Sequence, residues 1–320
     1  MGDFIVTLPV MGALRQTVPK AWIEVLGHPS RILLADHPRY ADRVTDLERF
    51  DIYRLFQPET TVSSQLQAYL QSFDLIIAYW PTADDMLHQQ LQRYSKGHVI
   101  TWPPHPPAGV HVTDYLLQAL ELLSLRDVDP TPQIEMHAEA EAKAQAFWQG
   151  PPALGRRVVA FHPGSGSARK LWPLEGWHDV MSWARHHGME GIVIAGPVEQ
   201  ERGLQTALQP ATGDWPWTRD LSLRDLAALL RRCHTVVSHD SGIAHLAAAA
   251  GAATLALFGP TDPRAWGPRS PRACVLQPLT PQPLTLQNLP PEVVIQTLAA
   301  LHEGTFAWQP GRVPCTIVQI

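Results

Sequence analysis

Cysteine, long apolar segments and clusters of positive charge are all scarce in this chain. Only three cysteines occur among its 320 residues (Cys233, Cys274 and Cys315), and none is spaced as in a CxxC motif. A sparse, odd set of this kind argues against a disulfide framework and favours a reducing compartment. No uninterrupted apolar run approaches the about 20 residues that a membrane-spanning helix needs, and no basic segment opens the N-terminus. These absences predict a soluble cytoplasmic protein without a signal peptide.

The charge balance excludes a further class of function. The net charge is −5 and no run of lysine and arginine stands out, so we expect no nucleic-acid partner. With 45% hydrophobic and 17% charged residues, the chain has enough apolar side chains for two globular domains. The fifteen histidines are scattered, and the pairs His186–His187 and His105–His111 have no carboxylate or cysteine at metal-ligand spacing. We therefore expect no metal site.

Apolar strand-like runs alternate with amphipathic stretches along most of the chain, which is typical of α/β proteins with parallel sheets. In the first half, strands are predicted in WIEVLG, FDLIIAYW and HVITW, and a helical stretch over residues 29–47. In the second half, strands are predicted in RRVVAFHPG, GIVIAG, the TVV run, ATLALF and ACVLQP. The proline-marked residues 126–152 predict a linker carrying a short Ala/Glu helix. We therefore predict two Rossmann-like domains, over residues 1–125 and 153–320, whose sheets face a central cleft.

The expected first strand of this pattern is absent. A Rossmann-like domain ordinarily opens with a strand, whereas this sequence begins at MGD and runs directly into a predicted helix, FIVTLPVMGALRQTVP. We expect either a start codon placed too far downstream or a truncated gene. Sequencing the native N-terminus distinguishes the two, because an active mature protein that begins at Met1 excludes the misplaced start.

A tight polar turn between a strand and a helix is the most informative segment. The TVV run stops at SHDSG (residues 238–242), an alanine-rich helix follows at once, and a second strand ends at GPTDP. Such a turn directs free backbone N–H groups above the sheet edge, where an anion such as phosphate binds. The alternative is that Asp240 or Ser241 only caps the helix. His245 lies one helical turn after Ser241 and faces the same end, although a lone helical histidine is usually structural.

A second polar loop opens the second half of the chain, at FHPGSGSARKLWP (residues 161–173). Ser165 and Gly166 permit close approach of a ligand to the backbone and offer hydrogen-bond donors. Lys170 adds a mobile cation that neutralises a diphosphate, and the spacing is not that of a Walker A motif. The alternative is a flexible loop with a solvated lysine. Further on, Glu199 or Glu201 is placed to accept hydrogen bonds from a ribose or, alternatively, to form an ordinary acidic first helical turn.

Taken together, several segments resemble glycosyltransferase family 9, the ADP-heptose:lipopolysaccharide heptosyltransferases. The matching segments are GDFIVTLPVMGALR, VHVTDYLLQALELL, HPGSGSARKLWP, SLRDLAALL, SHDSGIAHLAAAAG and LFGPTDP. The resemblance implies a GT-B fold with an N-terminal acceptor-binding and a C-terminal nucleotide-sugar-binding domain. It implies an inverting transfer of a heptose or related sugar from an ADP-linked donor to a lipopolysaccharide core or related glycan. No metal or cofactor is implied, and a peripheral contact with the inner face of the membrane is compatible with it.

The resemblance also assigns roles to individual residues. Asp3 matches the aspartate of the family's opening GD motif and is expected to be the base that takes the acceptor's proton. The residues expected to bind the donor are Ser165, Gly166, Lys170, Glu199, Asp240, Ser241, Gly242 and His245. For Asp3 the alternative is a helix cap at a frayed terminus, since no preceding strand holds it in place.

Two other functions stay open on the sequence alone. A catalytically impaired nucleotide-sugar-binding protein is compatible with the absent first strand. A nucleotide-sugar epimerase of the same two-domain plan is the other alternative, although no acid–base pair for it is marked. Turnover of an ADP-sugar with and without a glycan acceptor distinguishes these possibilities from transfer.

Overall fold

Two compact units make up the chain. The computed structural model describes residues 1–57, 61–81, 85–148, 157–196, 201–279, 284–308 and 316–319. Backbone contacts define a small unit, Val6–Pro130, and a large unit that combines Met1–Ile5 with Thr131–Ile320. The predicted division, with residues 1–5 in the first domain and 126–152 in a linker, therefore differs from the contact division at both places.

Helices and strands alternate along most of the described chain. The helices are α1 (Gly2–Ile5), α2 (Leu8–Thr17), α3 (Pro29–Ile32), α4 (Ser64–Leu70), α5 (Met86–Tyr94), α6 (Val112–Gln118), α7 (Ala138–Phe147), α8 (Leu174–His186), α9 (Leu204–Thr212), α10 (Leu223–Arg231), α11 (Gly242–Ala250), α12 (Pro263–Trp266) and α13 (Pro291–Glu303). The strands are β1 (Glu24–Gly27), β2 (Arg43–Asp46), β3 (Leu75–Tyr79), β4 (His98–Trp102), β5 (Val158–His162), β6 (Glu190–Val193), β7 (Thr235–His239), β8 (Ala253–Leu257), β9 (Ala273–Gln277) and β10 (Thr316–Gln319). Within the described ranges, no helix combines the length and apolar character needed to cross a bilayer.

A six-stranded parallel sheet forms the centre of the large unit, in the order β10–β9–β8–β7–β5–β6. Strands β5, β7, β8 and β9 are buried at every residue, as is usual for parallel strands covered on both faces. β5 pairs with β6 on one side and with β7 on the other, so the strand order reverses there. Ligands of open α/β sheets bind outside the carboxyl ends of the strands at such a point. The topology therefore places the loops after β5 and β7 side by side.

Helix α8 shows how the apolar pattern builds the core of the large unit. Its buried side chains include Trp177, Val180, Met181 and Ala184, which follow the helical repeat and form one apolar stripe. These four residues share a core with residues of β5, β7, β8 and β9. The stripe fixes the rotation of α8 and, with it, the position of the loop that leads into its first turn.

The small unit contains two separate parallel strand pairs, β1 with β2 and β3 with β4. The strands predicted in WIEVLG, FDLIIAYW and HVITW are confirmed as β1, β3 and β4. The helix predicted over residues 29–47 is wrong, because α3 ends at Ile32 and Arg43–Asp46 form β2. Pro38 disfavours a helical conformation of the residue before it, and Val44 and Thr45 are β-branched residues that favour a strand.

The helix predicted at the N-terminus is two helices in the structure. α1 ends at Ile5 and α2 begins at Leu8, with Pro9 in the first turn of α2. Proline is tolerated at that position, whereas in an uninterrupted helix its ring would clash with the carbonyl group of Ile5. The break coincides with the division between the units, so α1 and its Asp3 belong to the large unit.

Helix α7, predicted within the linker, is part of the large unit. Its small side chains Ala140 and Ala144 are buried, and α7 packs against α10. Lys143 Nζ lies 3.5 Å from Asp225 Oδ1 on α10. Alanines one turn apart allow the two helices to approach closely, so the predicted Ala/Glu helix belongs to the folded unit.

Candidate functional site

The loop after β5 and the turn after β7 are joined by an ion pair. Lys170 follows β5 in a short 3-10 turn, and its Nζ lies 2.6 Å from Asp240 Oδ2, just beyond β7. The Asp240 side chain is 7% exposed and that of Lys170 32% exposed. A nearly buried carboxylate is thus neutralised by a cation that still reaches solvent. The sequence predicted that both residues bind the donor, which stays a prediction, and the structure shows that they contact each other.

The turn after β7 supplies the cap of α11. β7 runs through Ser238 and His239, farther than the predicted TVV strand. Ser241 is the residue that caps α11, because its hydroxyl accepts a hydrogen bond from the Ile243 N–H at 3.3 Å. Asp240 contacts Lys170 instead. The partial positive charge at this end of α11 favours an anion.

His245, on the first turn of α11, lies near the predicted catalytic residue and near two of the predicted donor-binding residues. Its side chain is buried. Burial lowers the pKa of His245, the carboxylates of Asp240 and Asp3 act in the opposite direction, and the cation of Lys170 lowers the pKa further. Asp3, Asp240 and Lys170 therefore all lie close enough to influence one imidazole.

Asp3 is held by the packing of α1 on α11. A Cβ atom built on Gly242 would lie 2.9 Å from the Gly2 backbone nitrogen and 2.8 Å from Met1 Cε, so the two segments approach as closely as glycine allows. Ile5 anchors the other end of α1, since it is fully buried, while Asp3 is exposed. The sequence left open whether Asp3 is held in place, and the structure shows that the helix that carries it packs on α11.

We predict that Gly242→Ala destabilises this contact. The added methyl group would clash with the Gly2 backbone, so α1 would have to shift away from α11. Overpacking of this kind costs about 1–3 kcal/mol of stability. Thermal unfolding measures the loss, with Gly166→Ala as the control, since a Cβ atom there has no neighbour within 4 Å. Equal unfolding temperatures for the two variants would contradict the close approach of α1 to α11.

The remaining predicted donor residues differ in their surroundings. Ser165 is buried, and its hydroxyl accepts a hydrogen bond from the Ser167 N–H at 3.4 Å. Gly166 is exposed. Arg202 Nη1 lies 3.5 Å from the Ser165 carbonyl oxygen, so a second cation, absent from the sequence predictions, reaches this loop. Glu199 lies outside the described residues.

His239 is a buried polar residue of the site that sequence reasoning did not single out. Its Nε2 accepts hydrogen bonds from the Trp172 backbone N–H at 2.8 Å and from the Trp177 indole N–H at 3.3 Å. Nε2 is therefore unprotonated, and Nδ1–H donates to the Gly164 carbonyl oxygen at 3.0 Å. The only sequence signal was its position inside SHDSG, where the neighbouring Asp240 and Ser241 matched the family motif.

A second buried histidine connects β5 to the turn after β7. His162 Nδ1 lies 3.1 Å from Ser238 Oγ, and Ser238 Oγ lies 3.1 Å from Ser241 Oγ. The ends of two adjacent strands are thereby linked to the residue that caps α11. Sequence reasoning missed this chain because His162 precedes Ser238 by 76 residues and meets it only through the pairing of β5 with β7.

We predict that stability falls as the pH drops below about 6.5. Burial lowers the pKa of His162 to about 4 and that of His239 to about 3. Below about pH 6.5 the unfolded chain binds protons that these folded imidazoles reject, so the free energy of unfolding falls by up to about 1.4 kcal/mol per pH unit for each histidine. Urea unfolding between pH 7.5 and 5 measures the slope. His162→Gln should reduce it by about one proton, and an unchanged slope would contradict the assignment.

No three histidine, cysteine, aspartate or glutamate side chains come together as a metal site would require, within the part of the chain that the structure describes. The absence of a metal or cofactor from the reaction stays a prediction.

Comparison with known proteins places both loops within one family match. The model of glycosyltransferase family 9 (heptosyltransferase) matches residues 90–285. The chain belongs to glycosyltransferase family 9. The matched range includes both the loop that carries Lys170 and the SHDSG turn, so the ion pair joins two segments of the family's own sequence pattern.

Family 9 relatives extend the similarity beyond the matched range. Lipopolysaccharide heptosyltransferase 3 of Escherichia coli K12 is 24% identical over 293 residues, which cover 83% of this chain and 82% of that protein. Lipopolysaccharide heptosyltransferase 2 of the same strain is 28% identical over 131 residues, so the alignment spans 39% of this chain and only 37% of the relative. The structure of Escherichia coli ADP-heptose lipopolysaccharide heptosyltransferase II matches with a TM-score of 0.72 at 18% identity, over 95% of this chain and 96% of that one. The predicted GT-B fold is confirmed.

Proposed function

We propose that this protein is an inverting glycosyltransferase that transfers a heptose or a related sugar from an ADP-linked donor to a lipopolysaccharide core or related glycan. Family membership supports the reaction class. Both relatives above are named lipopolysaccharide heptosyltransferases, and the matching structure is named for ADP-heptose. The observation that carries the proposal is the Lys170–Asp240 ion pair, which lies just before the N-terminal end of α11.

The ion pair suits the departure of a nucleoside diphosphate. Transfer breaks the bond between the anomeric carbon and a diphosphate oxygen, and negative charge builds on the leaving group. Fixed positive groups that face this charge lower the barrier. Lys170 is exposed enough to accept a second anionic partner beside Asp240, and the N-terminal end of α11 adds its dipole. Ser165 and Gly166, at the carboxyl edge of the same sheet, are expected to contact the same diphosphate.

The proposed base is Asp3. Inversion requires one base. A carboxylate takes the proton from the acceptor hydroxyl while the oxygen of that hydroxyl attacks the anomeric carbon from the face opposite the diphosphate. Asp3 is exposed, so an acceptor can reach it. Its carboxylate acts to raise the pKa of the buried His245, as does that of Asp240, so Asp3 lies near the SHDSG turn. Base and diphosphate-binding cation are thus presented by the same unit. Lys170 and α11 supply the positive charge that a metal supplies in other transferases.

Acceptor-dependent turnover tests the proposal. The purified protein is incubated with ADP-heptose, with and without a heptose-free lipopolysaccharide core, and ADP release and product mass are followed together. We expect ADP release only with the acceptor, and a product heavier than the acceptor by one heptose residue. An isomerised nucleotide sugar formed without acceptor would instead indicate an epimerase. Binding without either product would indicate a nucleotide-sugar-binding protein.

A further inference from the structure

A single buried imidazole bonds to both ends of the loop that carries Lys170. At the start of the loop, the Gly164 carbonyl accepts a hydrogen bond from His239 Nδ1–H at 3.0 Å. At its end, the Trp172 N–H donates to His239 Nε2 at 2.8 Å. His239 is fully buried, so water does not compete for either bond. The base of the loop is thereby closed across the ring of one side chain.

The imidazole itself is rigidly held. The Trp177 ring meets it edge-on at a centroid separation of 5.1 Å, and the Trp177 indole N–H donates to the same Nε2. The Trp172 indole N–H donates in turn to the Leu289 carbonyl at 3.0 Å. Burial lowers the pKa of His239 to about 3, so the ring stays neutral and keeps Nε2 as an acceptor over the physiological pH range.

Three consecutive residues at the end of β7 contact this loop or the end of the strand before it. Ser238 lies against His162, at the end of the strand that precedes the loop. His239 bonds to its two ends, and Asp240 pairs with Lys170 within it. A shift of the loop relative to β7 would therefore break bonds to His239 as well as the ion pair.

We propose that His239 is a positioning residue for donor binding. Its two bonds fix the loop in the form that holds Lys170 against Asp240 and presents Ser165 and Gly166 to the diphosphate. We call these two hydrogen bonds, which join His239 to Gly164 and to Trp172, the bridge. The bridge is observed in the structure, whereas its consequence for donor binding rests on the proposed function.

Replacements that each keep one of the two bonds test the proposal, with ADP as the probe and calorimetry as the readout. The amide of His239→Gln reaches the position of Nε2 and can still accept from Trp172, while that of His239→Asn reaches the position of Nδ1 and can still donate to Gly164. We expect each to weaken ADP binding about tenfold, and His239→Ala, which loses both bonds, about a hundredfold. The control is Val237→Ala, a buried hydrocarbon on the same face of β7. It should lower the unfolding temperature but change the ADP affinity by less than about twofold.

Four results would overturn the proposal or separate it from the proposed function. Unchanged ADP affinity in folded His239→Ala would overturn it, as would an equal loss of affinity in Val237→Ala at matched stability. If the wild-type protein binds no ADP, the proposed function fails, and amide exchange then decides the bridge. The Trp172 N–H should exchange faster in His239→Asn than in His239→Gln, and equal rates would overturn the bridge.

Discussion

Asp3→Asn is expected to lower kcat by a factor of about 10²–10⁴ and to leave ADP binding unchanged. Asparagine has the shape of aspartate but cannot take a proton, so the variant removes the proposed base and little else. Asp3 is exposed, and substitutions at such positions usually change stability by less than about 0.5 kcal/mol. Initial rates with ADP-heptose and acceptor, together with ADP calorimetry on the same preparation, measure both quantities.

The control for Asp3 is another exposed acid in a first helical turn. Glu175 occupies the first turn of α8 and is also exposed, so Glu175→Gln removes a comparable charge next to a comparable helix end. Its turnover should equal that of the wild type. If Asp3→Asn retains full activity, Asp3 is not the base. If both variants lose activity equally, the effect is one of general surface charge.

Lys170→Met is expected to weaken ADP binding about 10- to 100-fold and to destabilise the protein by about 1–3 kcal/mol. The first effect follows because the diphosphate loses its cationic partner. The second follows because Asp240 Oδ2 is shielded from solvent and accepts no other hydrogen bond in the described part of the chain, so its charge is left without compensation. Lys170 is partly exposed, which keeps the stability cost below that of a fully buried pair.

A second substitution separates the two effects of Lys170. In the double variant Lys170→Met with Asp240→Asn, the stranded charge is gone, so most of the lost stability should return while ADP binding stays weak. Lys143→Met is the matched control, because Lys143 on α7 also pairs with an aspartate, Asp225, but is more exposed. Surface pairs of that kind contribute little, and ADP affinity should not change. Restored ADP binding in the double variant would contradict the role of the Lys170 cation.

The sequence was a good guide where one pattern left a single physical solution. Short continuous apolar runs between helical stretches predicted the buried strands β5, β7, β8 and β9, because parallel strands that are covered on both faces need apolar side chains at every position. It failed over residues 29–47, where hydrophobic spacing compatible with a helix competes with Pro38 and the β-branched pair in β2. It failed again at Pro9, where one helix was predicted and the structure has two, α1 and α2. A periodic apolar pattern does not show that the two helices belong to different units.

The candidate site divides in the same way. Local turn chemistry and family resemblance together pointed to Lys170 and Asp240, and these two residues are in contact. His239 lay inside the quoted motif, yet its role depends on Gly164 and Trp172, which precede it by more than sixty residues and reach it only because β5 and β7 pair. Hydrogen bonds between distant segments leave no periodic or spaced signature along the chain.

By itself, the sequence determined the α/β class, the two polar loops and the family of this protein, because each depends on residues adjacent or regularly spaced along the chain. Only the tertiary structure decided that Asp3 belongs to the large unit and that α1 packs on α11 at Gly2 and Gly242. It also decided that the imidazole of His239 bonds to both ends of the loop that carries Lys170. These are contacts between distant segments. They form because burial of the apolar Ile5 side chain and the hydrogen bonds of His239 offset the entropy of bringing such segments together.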